Sequence, residues 1–508
     1  MRFVDSTEST SISQHDVPPH SDRQCIIYRT QNRLTMHYVS IALLLCYVVS
    51  ISSAFQFVPS SIIIQPPSNN YNVKLQYSLN TAIDITESAP RQIEPLTSWA
   101  SNYGVQISDC YQLNSDDGLD VYASTNQYLP MGSQILGIPN ELVLTGNKAR
   151  EELGSGVSYE AEQTINPDDL SAFYLFLKVL KEYDLGEESV WFSWLNSLPR
   201  YYSNGASLTD FCFGCLVSRE LSLLFLVHLY GMYINLHSSL PLQPPYAAEL
   251  ALQEKLRLGK FVNALNGVSF LSEESIDATK FAYNVVFTRM MPMPNGDYCI
   301  APMCDYFNHW GDISDASISF DEDGNCYAYS TRDVQAGEPL RICYDNPTNP
   351  SLLLAKYGFL DESSPATFCK YVISNPTEEL FNMGYPDRAV IYKDGSISDE
   401  VWDILLYEEL GKVSPEDQQA FYHACMSGDE GTKQSYHEKF FVKTHSKLQQ
   451  HVNFLINELD ELGLGLEIQV AQGQDSERHP RLPLIMRHNQ FVSDTFERVK
   501  QNIDNMIV

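Results

Sequence analysis

The apolar positions alternate between two periods along the chain, and the switches between them divide it into segments. In the stretch 93–105, IEPLTSWASNYGV, Leu96 and Trp99 share one side and predict a short amphipathic helix. Shorter-period runs follow. In YLPMGSQILGIP, Pro130-Met131-Gly132 marks a turn, and Ile135, Leu136 and Ile138 predict a short strand. The same device recurs in VQAGEPLRICY, where Gly337 turns the chain and Leu340 to Tyr344 read as a strand. SISFDEDGNCYAYS predicts a hairpin about Asp323-Gly324, with Ile318, Phe320, Tyr327 and Tyr329 on its arms. Between these β-rich pieces, residues 168 to 290 carry helical spacing, as in LSAFYLFLKVLKEY and SIDATKFAYNVVFTRM, with Ser272 and the two glutamates after it predicting a helix start. Beyond residue 370 the pattern is again helical. Short strands, a helical insertion over about 155–290, more strands and a helical tail make an α+β layout. The expected divisions are 1–54, 55–92, 93–365 and 366–508.

Composition narrows the function classes. The chain has 508 residues, 44% hydrophobic and 19% charged, which suits a folded protein with a sizeable core. Its formal net charge of −31 repels nucleic-acid phosphates and argues against a nucleic-acid partner. A basic protein substrate is compatible with it, as is plain solubility. Of the 11 cysteines, only Cys212 and Cys215 form a close pair, inside the apolar run FCFGCLV. A zinc site takes four converging ligands, so the pair reads as core packing and no metal is expected. Asn346-Pro347-Thr348 and Asn349-Pro350-Ser351 are blocked as glycosylation acceptors by proline.

The N-terminal region reads as an address. The apolar run Val39 to Ile51 has the length of a signal-peptide core, with Ser52, Ser53 and Ala54 as small residues before a cut. A start at Met36 gives a conventional signal peptide, so residues 1–54 divide into an extension and that signal. Residues 55 to about 92 are rich in Ser, Asn, Gln and Pro, as a transit peptide or linker is. The junction SSAF followed by QFVPSS resembles the plastid presequence junction of diatoms and related algae, which implies a plastid protein. The alternative is a secretory signal or membrane anchor over residues 38–53; no stable span is expected in the mature protein, which is expected to be monomeric.

Two stretches carry candidate chemistry. APMCDYFNHW (301–310) sets Asp305, Asn308 and His309 among apolar neighbours. From the residues alone these read as a metal site, a polar ligand pocket, or a helix end capped by its own side chains. RICYDNPTNPSLLLAKYGFLDE (341–362) ends a strand at Tyr344, crosses a polar turn and leads through a Leu-rich segment to Tyr357-Gly358-Phe359. A phenol offers one hydrogen bond and an apolar ring, so phenols around a narrow opening suit the guiding and desolvation of an amine; core packing is the plainer reading.

Together the two stretches resemble the SET domain of the Rubisco large-subunit lysine methyltransferase type. Pro302, Asp305, Asn308 and His309 match its first pattern, with Cys304 in place of Ala. Tyr344, Asp345, Asn349, Leu352, Leu353, Tyr357, Gly358 and Phe359 match its second. VVFTRM, VWFSWLNSLPRYY and RLPLIMRHNQFVSDTF resemble further family segments, the last within a helical substrate-binding domain. The resemblance runs from about 93 to 508. It implies an α+β fold, a SET domain of short β-sheets with a large helical insertion followed by an all-helical C-terminal domain. It also implies methyl transfer from S-adenosyl-L-methionine (AdoMet) to a protein side chain, usually lysine.

The resemblance assigns roles. Asn308 and His309 form a cofactor cradle rather than a metal site, and Asp305 braces the turn. Arg289 lies near the AdoMet carboxylate, where its plainer reading is a surface arginine at a helix end. Gly118, Leu119 and Phe359 join the cofactor site. Tyr357 is the catalytic phenol and Tyr344 the second phenol of the channel; with a pKa near 10, either is a poor base at neutral pH and a better positioning group. One position departs from the pattern. The first cofactor loop reads Asp117-Gly118-Leu119-Asp120, with Asp120 where the family has a second glycine. Either its side chain meets the ligand, or the backbone there takes a positive φ that Asp tolerates. Two other functions fit the sequence: a non-catalytic protein-binding module that keeps the fold, and a methyltransferase with a histidine acceptor. The protein partner fits a plastid enzyme by analogy with the family.

Overall fold

The computed structural model describes residues 83–216, 246–271, 275–311, 314–344, 350–362, 369–370, 373, 376–385 and 388–507. The expected signal and transit segments through residue 82 lie outside them, as do Asp345, Asn349 and Ser272.

Short strands build the first half. Gln106–Ile107, Gln134–Ile138, Cys326–Ser330 and Ala316–Phe320 form one antiparallel sheet in that spatial order. It joins chain segments from both sides of the helical insertion. Leu136 and Ile138, and Cys326 and Ala328, are buried in the main core at alternating strand positions, and Ile135, out of phase with them, is buried in it as well. The hairpin turn is Asp321–Asn325, with Gly324 at φ +80°. A second antiparallel pair, Tyr111–Asn114 with Tyr122–Thr125, holds the ends of the 115–121 loop together. Met291–Pro292, Tyr298–Ile300 and Leu144–Thr145 make a three-stranded sheet.

The helix expected near 93–105 spans Glu94–Asn102 and buries Leu96 and Trp99. Folded chain starts earlier than the expected boundary at 93: Ile83 is buried in the main core, and Glu87 pairs with Arg481. The insertion is helical, with long helices at Leu170–Leu185, Tyr246–Ala264 and Ile276–Arg289. The last begins one turn-fraction later than expected. Ser275, not Ser272, is its cap, accepting the Ala278 amide at 3.1 Å. Cys212 and Cys215 are buried in a small apolar cluster with Ala251, Ala355 and Ile485.

The expected strand Leu340–Tyr344 shrinks to Arg341–Ile342, which pairs in parallel with Asn308–His309. Its flanking donors go elsewhere: Cys343 N–H to Ser314 Oγ at 3.0 Å and Tyr344 N–H to His309 Nδ1 at 3.1 Å. A ladder cannot extend where side chains have taken the amides.

From about 360 onward a second core gathers helices Asp399–Val413, Pro415–Ser427, Glu430–Ala471 and Leu482–Asp504. Among its described residues this region is helical apart from one strand pair, Cys369–Lys370 with Val390–Ile391. Among the described residues, no helix is long and apolar enough to cross a membrane. Among them, too, no three His, Cys, Asp or Glu side chains are grouped to hold a metal.

Candidate active site

The parallel pairing Arg341↔Asn308 and Ile342↔His309 lays the two polar motifs side by side. The approach to Asn308 is tightly wound. Met303 has φ +78°, a costly value for a side-chain-bearing residue, and its carbonyl accepts the buried Tyr111 hydroxyl at 3.1 Å. A single 3₁₀ turn, Cys304–Tyr306, then turns Asp305 inward. Asp305 Oδ2 accepts from Trp194 Nε1 at 2.9 Å and from Arg289 at 3.0 Å. Arg289 also donates to the Asp305 carbonyl at 2.7 Å. It is therefore no surface arginine at a helix end. Burial opposes its charge, but Asp305 holds the guanidinium above its ordinary pKa.

On the other motif, the helix Pro350–Tyr357 stops at Gly358, whose N–H bonds back to the Leu353 and Leu354 carbonyls. Gly358 has φ +85°, and a Cβ there would lie 2.6 Å from the Asn204 nitrogen. Glycine is required twice over, by the turn and by the close approach of Ser203-Asn204. This stop fixes Tyr357. Its ring centroid is 4.9 Å from that of Tyr344, and Tyr344, Phe359 and His309 form a continuous aromatic group. The Tyr344 hydroxyl donates to the Phe307 carbonyl at 2.8 Å. Burial raises the Tyr344 phenol above its ordinary pKa, with Arg289 opposing, so it stays protonated at neutral pH. His309 Nδ1 accepts the Tyr344 amide, which leaves the ring proton of the neutral imidazole on Nε2, 3.7 Å from Asp361.

Two cavities meet at these phenols. The larger, about 1060 Å³, is lined by Gly118, Leu119, Asp120, Asn308, His309 and Phe359 among others. The smaller, about 570 Å³, is lined largely by apolar groups, including Met290, Met291, Phe307 and Ile318. Thr288, Arg289, Asp305, Tyr344 and Tyr357 line both. Gly118, Leu119, Asp120, Arg289, Asp305, Asn308, His309, Tyr344, Tyr357 and Phe359, the ten residues given roles from the sequence, thus all border the larger cavity.

The 115–121 loop is set by its own side chains. Asp117 Oδ1 accepts the amides of Leu119 at 2.8 Å and Asp120 at 2.9 Å. Gly118 has φ +76°, whereas Asp120 is not among the positive-φ residues. Asp120 therefore meets the cavity through its side chain: Oδ2 accepts Asn308 Nδ2 at 2.9 Å. Leu119 points its side chain to solvent and gives its carbonyl to Arg91 at 2.7 Å.

Sequence reasoning missed Arg91 and Tyr202. Both line the larger cavity, and Arg91 Nη2 and Tyr202 Oη are buried without a hydrogen-bond partner, as are Arg289 Nε and Asp305 Oδ1. Arg200 Nε, on the same lining, is a fifth such atom. Buried polar atoms without partners are costly, and five around one cavity mark a place for a polar ligand. Burial raises the Tyr202 phenol, against the pull of Arg289, Arg91 and Arg200. Tyr202 lies in the quoted stretch VWFSWLNSLPRYY, which was a usable signal; Arg91, in APRQIEP, had none.

No protein-family model matches this chain, and no curated protein does. Solved structures do. The SET domain of LSMT bound to lysine and AdoHcy matches with a TM-score of 0.52 at 12% identity, over 82% of this chain and 91% of that one. Rubisco LSMT bound to sinefungin and monomethyllysine matches at 0.52 and 12%, over 82% and 92%. Rubisco LSMT bound to AdoMet matches at 0.51 and 13%, over the same shares. The chain has the SET-domain fold.

Proposed function

We propose that this protein transfers a methyl group from AdoMet to a lysine side chain of a protein substrate, in the manner of the Rubisco large-subunit type. The observation that carries the reading is the pair of cavities sharing Tyr344 and Tyr357. A group-transfer enzyme needs a donor site and an acceptor site that touch only where the reacting atoms meet.

The larger cavity fits AdoMet. Its volume suits a nucleoside joined to an amino acid. Arg91 Nη2, Arg289 Nε and Tyr202 Oη are unspent donors for a carboxylate. The Asn308 side chain and the Asn308-His309 backbone would hold the methionyl and adenine parts. When bound, AdoMet supplies a sulfonium-activated methyl group, an electrophile that reacts with a neutral amine in line with its carbon–sulfur bond.

The chain's own residues must deliver that amine. The apolar lining of the smaller cavity strips water from the lysine alkyl chain and disfavours its charged form, so the proton leaves to solvent as the side chain enters. Tyr344 and Tyr357 narrow the passage between the cavities and keep bulk water from the reacting atoms. Tyr344 is committed to the Phe307 carbonyl, so it walls the channel. Tyr357 is the phenol assigned to orient the acceptor nitrogen.

The neighbours of known structure were bound to lysine or monomethyllysine, which supports a lysine acceptor over histidine. We read residues 36–90 as the address that takes the enzyme, and so its substrate, to a plastid. Isothermal calorimetry tests the donor site: the purified protein takes up AdoMet in the micromolar range, and Asn308→Ala weakens uptake by about 1–3 kcal/mol through an unpaired polar contact. Absence of binding heat from the wild type at high micromolar AdoMet would remove the reading.

A further inference from the structure

Asp120 stands where the family pattern has a bare glycine, yet its carboxylate is built into the site. Its Oδ2 receives the Asn308 amide at 2.9 Å. A carboxylate only accepts, so the contact fixes which end of Asn308 faces it. Nδ2 is spent on Asp120, and the amide oxygen is the end left for a ligand. The position of Asp120 is set in turn by Asp117, which holds its backbone amide at 2.9 Å.

The charges around the cavity single out this carboxylate. Three guanidiniums and four carboxylates line it. Glu87 is paired with Arg481, and Asp305 with Arg289. Asp117 is occupied by its own turn. Asp120 has no cation within ion-pair distance among the described residues, and Asp120 supplies the excess negative charge of the lining. The methionyl end of AdoMet is a zwitterion carrying a sulfonium beside it, so the molecule is a net cation. Its carboxylate has Arg91, Arg289 and Tyr202 to meet. Its ammonium needs an anion, and the unpaired one is Asp120.

We propose that Asp120 is a cofactor-positioning and selectivity residue: its carboxylate receives the methionyl ammonium, holds the Asn308 amide with its oxygen toward the same group, and favours cationic AdoMet over the neutral product S-adenosylhomocysteine. This rests on the AdoMet reading of the larger cavity. The substitution is then a gain over glycine rather than an obstruction, and it lowers inhibition by product.

Calorimetry with three probes tests it: AdoMet, S-adenosylhomocysteine, and methylthioadenosine, which lacks the amino-acid end. Asp120→Asn and Asp120→Gly should each weaken AdoMet by at least about tenfold, the scale of a lost charge-assisted hydrogen bond. S-adenosylhomocysteine should weaken less, so the preference between the two narrows. Methylthioadenosine should bind both variants as it binds the wild type. AdoMet binding Asp120→Gly as tightly as wild type, or tighter, would overturn the proposal by showing an obstruction or a bystander. Equal weakening of AdoMet and its product would overturn the selectivity claim, and equal loss for all three probes would show loop damage instead of a charge contact. A wild-type protein that binds none of the three would overturn the AdoMet reading itself, and the proposal with it.

Discussion

The Tyr344 hydroxyl donates to the carbonyl of Phe307 at 2.8 Å, and Phe307 is the residue before Asn308. One channel phenol is thus tied to the backbone that carries the cofactor motif. Tyr344→Phe should leave that buried carbonyl unpaired, costing about 1–3 kcal/mol of stability, and should weaken AdoMet binding along with the rate. Denaturant unfolding beside calorimetry checks both; a variant that loses rate alone would mean the bond to Phe307 is not what matters.

Tyr357→Phe should behave differently. The helix stop at Gly358 holds its backbone, so losing one oxygen leaves the fold and the AdoMet site in place. Methyl transfer should fall by about 10²-fold or more, as expected for losing orientation of one reacting group, with AdoMet affinity nearly constant. Transfer at the wild-type rate would reassign the orienting phenol.

Gly358→Ala separates positioning from chemistry. The new Cβ meets the backbone at Ser203-Asn204, and the residue is held at φ +85°. Strain at such a site costs on the order of 1–3 kcal/mol. The measured drop in melting temperature should come with loss of transfer, although no reacting side chain has changed. A variant with full activity would show that the turn does not fix Tyr357.

Stability should fall in mild acid. His488 is buried, 1% exposed, with Nδ1 3.2 Å from the Asn489 side-chain oxygen. Burial lowers its pKa from 6.5 to about 4. The unfolded chain binds this proton and the folded one refuses it, so stability is complete above pH 6.5 and drains as pH falls toward 4. Between pH 7 and 5 the loss is about 2 kcal/mol, at roughly 1.4 kcal/mol per pKa unit. Urea titrations at the two values check it, and His488→Gln should flatten that part of the dependence. An identical slope in the variant would assign the acid sensitivity elsewhere.

The address is tested by fusing residues 36–90 to a fluorescent protein in a diatom host. Plastid fluorescence is expected, and Phe55→Ala should strand the fusion in surrounding membranes. Signal confined to the plasma membrane or medium would favour an anchor or a secreted enzyme.

Local features were the legible ones. The helix with Leu96 and Trp99 and the hairpin about Gly324 follow from periodicity and a turn dipeptide, both written within a dozen residues. Asn308, His309, Tyr344 and Tyr357 stood out through the ordered motifs that resemble the SET family; from the residues alone, core packing was the plainer reading of the two phenols. Trp194 gripping Asp305, and Arg91 holding the loop at Leu119, were not legible, since those pairs are separated by long stretches of chain and no period links them. The strand at Leu340 was overextended for a related reason: Ser314 and His309, distant in sequence, take its amides. Asp120 could be seen as a departure, but only coordinates show its carboxylate on Asn308.

The account's central claim is methyl transfer to lysine, and one measurement meets it directly. The wild-type protein is incubated with methyl-deuterated AdoMet and a plastid protein extract, and the labelled peptides are sequenced by mass spectrometry. The account predicts deuterated methyl groups on lysine Nζ of one or a few proteins, lost with Tyr357→Phe. Label on histidine would change the acceptor, and a wild-type protein that binds AdoMet yet labels no lysine in any plastid extract would contradict the account in favour of a SET-fold binding protein.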